Sequence, residues 1–149
     1  YEQVAVRQLL MAVGVKEIMM PRLKVVDGEM KFGDFVKKYG YSSEDVFFVR
    51  DANFAGVLQL RMVQAMPVKM QEMMRLKQLA RSLGEVQGVR LTDTVYAAWT
   101  GLQKQQIDVL PVYGVEGKKV VGWVTQRAVM NCLMMQNKFG GIRGYKRKK

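Results

Sequence analysis

The chain contains no histidine and a single cysteine, Cys132. An intramolecular disulfide, a Cys/His zinc site, a Ser-His-Asp triad and a Cys-His dyad are therefore excluded, because each needs residue types that are missing. No acid-base pair, nucleophile or metal cluster is evident in what remains, so neither catalytic nor metal-ligating residues are expected and no enzymatic activity is assigned to the chain itself. A lone thiol suits a reducing compartment. No apolar run approaches the roughly 20 residues needed to cross a bilayer, and the opening Tyr1-Glu2-Gln3-Val4 lacks the order of a secretory signal. The missing initiator methionine points to a fragment or a processed chain, with part of its function in sequence outside it.

What is present describes one globular body. The 149 residues are 49% apolar and 25% charged, enough to bury one core or two small halves sharing it. Six of the eleven excess positive charges fall in residues 138–149, Lys138, Arg143, Lys146, Arg147, Lys148 and Lys149, with no acid among them. That segment has three glycines and no apolar period to fold around, so it reads as a flexible basic tail.

An internal repeat organises the rest. Shifting the chain by 63 positions places Val26 on Val89, Asp45 on Asp108, Val46 on Val109 and Val49 on Val112. It also pairs Phe35 with Ala98, Val36 with Trp99 and Tyr39 with Leu102. Three extra residues in the turn 114–119 raise the shift to 66, where Gly56 meets Gly122, Arg61 meets Arg127 and Val63 meets Val129.

Each copy has the same periodicity. Val95, Ala98, Trp99 and Leu102 form the apolar stripe of a helix over 94–105, with Thr92 or Asp93 as its N-cap. Strands follow at 109–113 and 120–124, joined by a glycine-containing turn, and a helix at 126–136. The first copy reads as helix 31–40, strand 46–49, turn 51–53, strand 55–60 and helix 61–66, stopped by Pro67. Ahead of both, Val6, Leu9, Leu10 and Val13 mark a helix ended by Gly14. Among the twelve methionines, Met62, Met66, Met70, Met73 and Met74 crowd around Pro67. They are expected to fill the junction between repeats; the other reading is a soft contact surface for a partner helix.

The order helix-strand-strand-helix, given twice at about 60 residues, resembles the cystathionine-β-synthase (CBS) domain, which occurs as a tandem pair called a Bateman module. The resemblance rests on Val15-Lys16-Glu17-Ile18-Met19-Met20-Pro21, on Asp108-Val109-Leu110-Pro111-Val112 and on Gly122-Trp123-Val124-Thr125-Gln126-Arg127, and covers residues 15–136. It implies an α/β (α+β) fold of two pseudo-symmetric repeats, each a small sheet packed with two helices. The expected division is a linker helix 1–14, a first repeat 15–67, an inter-repeat linker and second repeat 68–137, and the basic tail 138–149.

The resemblance also implies a regulatory, non-catalytic role, with an adenine nucleotide (AMP, ADP or ATP) as ligand. The family's Gly-x-x-Thr/Ser-x-x-Asp corner lets the backbone turn tightly, turns a hydroxyl and helix-end N–H groups to phosphate, and gives a carboxylate to ribose. In the second copy it reads Gly122, Thr125, Ala128, without the ribose acceptor; in the first it reads Gly56, Gln59, Met62, without hydroxyl or carboxylate. The site is thus degenerate. Its expected residues are Gly122, Thr125, Arg127 and Arg61, with Leu110 and Pro111, the two arginines holding phosphate through their planar forks.

The family further implies a homodimer, coupling to an upstream domain of the same chain, and a place at the cytosolic face of a membrane within a host such as a chloride channel, a magnesium transporter or an intramembrane zinc metalloprotease. The stretch Phe54–Leu60 followed by Val63–Pro67 is similar to the metalloprotease group. Two other readings stand beside ligand sensing. One is a structural dimerisation module. The other is a tether in which the basic tail, with Phe139 and Tyr145, contacts an anionic membrane or nucleic acid.

Overall fold

The computed structural model describes residues 2–117 and 119–147. In chain order its elements are α1 (Glu2–Met11), a 3-10 turn (Val15–Glu17), β1 (Val25–Asp27), α2 (Phe32–Tyr39), β2 (Val46–Arg50), β3 (Ala55–Gln59) and α3 (Leu60–Val63). They continue with α4 (Val68–Met73), α5 (Leu76–Leu79), β4 (Arg81–Ser82), a 3-10 turn (Leu83–Glu85), β5 (Val89–Arg90), α6 (Val95–Gln105), β6 (Val109–Tyr113), β7 (Val120–Thr125) and α7 (Gln126–Arg147). The chain divides into two compact units. A middle unit comprises Leu23–Val86; a split unit comprises Tyr1–Arg22 together with Gln87–Lys149.

The middle unit is a four-stranded sheet in the order β1-β2-β3-β4, with β1 parallel to β2 and the other pairs antiparallel. Alternation in β2 and the aromatic stripe of α2 meet in its core, where Phe35 stands edge-on to Phe47 at 5.0 Å and 88°. Phe47, Val49, Leu58 and Leu76 are fully buried there. The split unit is a three-stranded sheet, β5-β6-β7, with β5 parallel to β6 and β6 antiparallel to β7. Its core holds Leu10 and Val13 from the N-terminal segment with Val95, Leu102, Val109 and Val124.

The repeat holds residue by residue. Val26 lies opposite Val49, which lies opposite Gly56; Val89 lies opposite Val112, which lies opposite Gly122. The Leu60 N–H bonds to the Asp45 carbonyl at 3.0 Å, and the Gln126 N–H to the Asp108 carbonyl at 2.7 Å. The extra residues at 114–119 are taken up by a register shift at Val112/Tyr113 and by Gly117, whose φ of 76° suits a residue without Cβ.

The sequence reading missed a third repeated part. Each body is completed by an arm. In the split unit the arm is residues 13–20: the Val15 N–H bonds to the Asp93 carbonyl, Val13 accepts from the Val95 N–H, and Met20 exchanges both backbone bonds with Trp123. In the middle unit Leu76 bonds Met30, Met74 accepts from Phe32, and Arg81 pairs with Val57, the same contacts 61 residues on. Even the cap recurs, Glu17 reaching back to the Gly14 N–H and Gln78 to the Arg75 N–H. The segment Val15–Pro21, read as opening the first repeat, thus adds its edge to the sheet of the second. In the middle arm Lys77 sits between Glu29 and Asp51, and its hydrogen bond to Glu29 holds its pKa above the ordinary lysine value.

Several local expectations need correction. The cap of α6 is Thr94, whose hydroxyl accepts from the Ala97 N–H at 3.2 Å; Asp93 instead accepts from Arg90. Helix α3 ends at Val63, short of 66, because Pro67 has no N–H to give the Val63 carbonyl, which accepts instead from the Met66 N–H at 2.9 Å and from the Gln71 amide at 2.7 Å. Of the five methionines near Pro67, Met62, Met70 and Met73 are more than half exposed, whereas Met66 and Met74 are partly buried. Finally, α7 does not end at 136 but runs through most of the segment read as a flexible tail, to Arg147. Elongating an existing helix costs far less than nucleating one.

Candidate functional site

The corner where β7 passes into α7 gathers the sequence-derived site. Gly122, Thr125 and Arg127 lie within six residues on one strand-to-helix turn, and β6 beside it carries Leu110 and Pro111 opposite Val124 and Trp123. Arg61 holds the equivalent place in the middle unit, as the second residue of α3.

Each of these residues has an assignable local role. Gly122 is buried against the arm: a Cβ there would stand 2.6 Å from the Met19 sulfur and 3.0 Å from the Met20 carbonyl. Thr125 is 8% exposed and its Oγ1 accepts the Ala128 N–H at 3.1 Å, so the hydroxyl is the N-cap of α7. A capping hydroxyl still has its own proton to donate to an anion. Arg127 is exposed on the first turn of α7, at the end of a long helix where the macrodipole favours negative charge.

Leu110 is fully buried, and its methyl lies 2.9 Å from where a Gly101 Cβ would stand on α6. Its side chain belongs to the core and does not line a cleft. Pro111 stands opposite Trp123, which spends both backbone groups on Met20 at 2.8 Å each, so proline costs the β6–β7 ladder no bond. In the middle unit the place of Thr125 is taken by Gln59, 6% exposed, so the two corners differ chemically although their backbones share one register.

The cap assignment has a direct consequence. Thr125→Ala is expected to lower the stability of the split unit by about 1 kcal/mol, and Thr125→Ser to restore most of it, as read by urea unfolding. Equal loss in both variants would show that the buried methyl matters and the hydroxyl does not.

Among the described residues no group of three or more His, Cys, Asp or Glu side chains could hold a metal ion, and no helix is long and apolar enough to cross a membrane.

No family model matches the chain, and no curated protein matches it. Solved structures do. The CBS domain of a bacterial CNNM/CorC family Mg2+ transporter in complex with ATP is similar at TM-score 0.65 and 15% identity, over 89% of this chain and 95% of that one. A hemolysin-like protein containing a CBS domain, from Oenococcus oeni PSU, is similar at TM-score 0.67 and 16% identity, over 85% and 95%. CBSX2 in complex with AMP is similar at TM-score 0.63 and 20% identity, over 84% and 98%.

Proposed function

We infer that this chain, whose fold is that of a tandem CBS pair, is a non-catalytic regulatory module that binds an adenine nucleotide and reports it to a larger host. The observation that carries the reading is the match, over most of both chains, to CBS structures solved with ATP and with AMP. The β7–α7 corner is the half-site that retains the needed chemistry. Arg127 offers a bidentate fork to phosphate, Thr125 a hydroxyl proton, and the first turn of α7 a positive dipole end. With Ala128 where a carboxylate would take ribose, phosphate dominates recognition and discrimination among AMP, ADP and ATP follows phosphate count.

A membrane transport protein is the host class that the likeness to the CNNM/CorC domain supports, and a place at the cytosolic face belongs to the same reading. A homodimer belongs to the same reading. Met130 and Met134, exposed four residues apart on α7, supply its apolar contact. Regulation then requires the nucleotide to bind one arrangement of the module better than another.

Thermal unfolding of the chain with each nucleotide tests this. At a ligand concentration one hundredfold above Kd the gain is about 2.7 kcal/mol, a rise of several degrees in Tm. Arg127→Ala should abolish most of the rise. A flat response to AMP, ADP and ATP alike would remove the ligand and leave a structural dimerisation module.

A further inference from the structure

Charge is divided unevenly between the two units. Residues 23–86 hold ten basic and eight acidic residues, a balance of +2, so nine of the eleven excess positive charges belong to the split unit. No acidic residue follows Glu116, and six basic ones stand at 138 and beyond. Four of these, Lys138, Arg143, Lys146 and Arg147, lie on α7, which runs as one unbroken helix from the β7 corner. Lys148 and Lys149 follow in sequence.

The apolar positions of the same turns fall on one line. Gln136 is buried and its amide bonds the Leu9 carbonyl of α1 at 3.3 Å, which marks the inner side of α7. Met135 is 44% exposed and Lys138 is exposed, which marks the outer side. Steps of four and three residues from Lys138 reach Ile142 and Tyr145, so these positions share a side of the helix with Met135 and Lys138. By the same period Phe139, Arg143, Lys146 and Arg147 flank that line on one edge, and Gly140, Gly141 and Gly144 on the other.

We propose that the last turns of α7, from Lys138 to Arg147, are an interfacial helix that docks on the anionic headgroup surface of a lipid bilayer, with Phe139, Ile142 and Tyr145 entering the acyl boundary and the cations meeting the headgroups. Charge complementarity selects the occupant. The end of a helix is equivalent to about half a negative charge, so six cations exceed what the dipole of α7 can use. A second copy of this chain would bring like charge against like. A nucleic-acid backbone would engage the cations and give the three apolar residues no part, whereas a bilayer boundary engages both. Three glycines within residues 140–144 lower the helix preference of these turns, so docking is expected to raise helix content as well. This site lies at the opposite end of α7 from the β7–α7 corner and does not depend on nucleotide binding.

The test uses the full chain and vesicle sedimentation, with phosphatidylserine mixed into phosphatidylcholine against phosphatidylcholine alone. Saturable binding to the anionic vesicles is expected, weakening as NaCl rises from about 0.1 to about 0.5 M because the screening length falls. At about fivefold per charge, the double variant Lys146→Glu with Arg147→Glu should weaken binding by more than about a hundredfold. Ile142→Ser leaves the charge unchanged and should weaken it about tenfold, through the lost apolar contact. All three positions lie beyond the Gln136 contact with α1, so Tm should be unaffected and loss of binding cannot be assigned to unfolding. A short DNA duplex should bind more weakly and ignore Ile142→Ser. Two results overturn the proposal. One is binding no stronger to anionic than to neutral vesicles, or indifferent to the double charge reversal. The other is vesicle binding that Ile142→Ser leaves unchanged, or duplex binding as tight as vesicle binding, either of which makes these turns a contact for any polyanion.

Discussion

Deleting residues 2–13 is expected to unfold the unit formed by residues 87–147 while the unit of residues 23–86 stays folded. The deleted stretch lies far from residues 87–147 in sequence, but it carries Leu10 and Val13, both essentially without solvent exposure. Each is worth about 1.5–3 kcal/mol on burial, and the partly buried Val6 and Leu9 go with them. The bond from the Val95 N–H to the Val13 carbonyl is lost as well, which frees the start of α6. Together these losses approach the whole stability of a unit this size, about 0.05–0.15 kcal/mol per residue. Residue-resolved hydrogen exchange separates the outcomes. Amides of β6 and β7 should lose protection and those of β2 and β3 should keep it; protection retained in β6 and β7 would show that α1 is dispensable. The point mutant Leu10→Ala gives a graded form of the same test, at about 2–5 kcal/mol.

How much of this was legible follows from how each part encodes itself. The bodies announced themselves because strand alternation and a helical stripe are long patterns, and the pairs Val26/Val89, Val49/Val112 and Gly56/Gly122 all proved to occupy matching ladder positions. The arms did not. Residues 13–20 and 74–81 share one identity, Lys16 with Lys77, over a single helical turn, which is too short to show a period. A usable signal was there in Val15-Lys16-Glu17-Ile18 against Leu76-Lys77-Gln78-Leu79, an apolar-Lys-acid/amide-apolar tetrad whose third residue caps the turn.

At the candidate site, residue types were readable but their duties were not. A threonine at a strand-to-helix corner serves a cap or an anion equally well on paper; only its bond to the Ala128 N–H gives it the first role. The five methionines around Pro67 look like core by composition, yet Met62, Met70 and Met73 stand largely outside it while Met66 and Met74 are partly buried.

The two corner glycines separate structure from ligand binding. Gly56→Ala should cost about 3 kcal/mol or more, whereas Gly122→Ala should cost about 1 kcal/mol. At Gly56 the added Cβ would stand 2.5 Å from the Arg81 carbonyl and 2.7 Å from the Phe54 ring. The Arg81 carbonyl cannot yield without breaking the β3–β4 pairing of Gly56 with Ser82 and Val57 with Arg81. At Gly122 the nearest atom is the Met19 sulfur, the mobile end of a flexible side chain, and the Met20 carbonyl at 3.0 Å needs only a small shift. Denaturant midpoints with a common m-value measure both costs. Equal costs would mean that the passing arm does not dictate glycine. The nucleotide response of the folded Gly122→Ala variant then completes the argument. If the absent Cβ serves the Met19–Met20 crossing, the response survives this substitution and is lost with Arg127→Ala. If the absent Cβ serves close approach of phosphate, Gly122→Ala loses the response while remaining nearly as stable as the parent. The arm crossing on the same strand favours the first outcome, because it already accounts for a glycine there without any ligand.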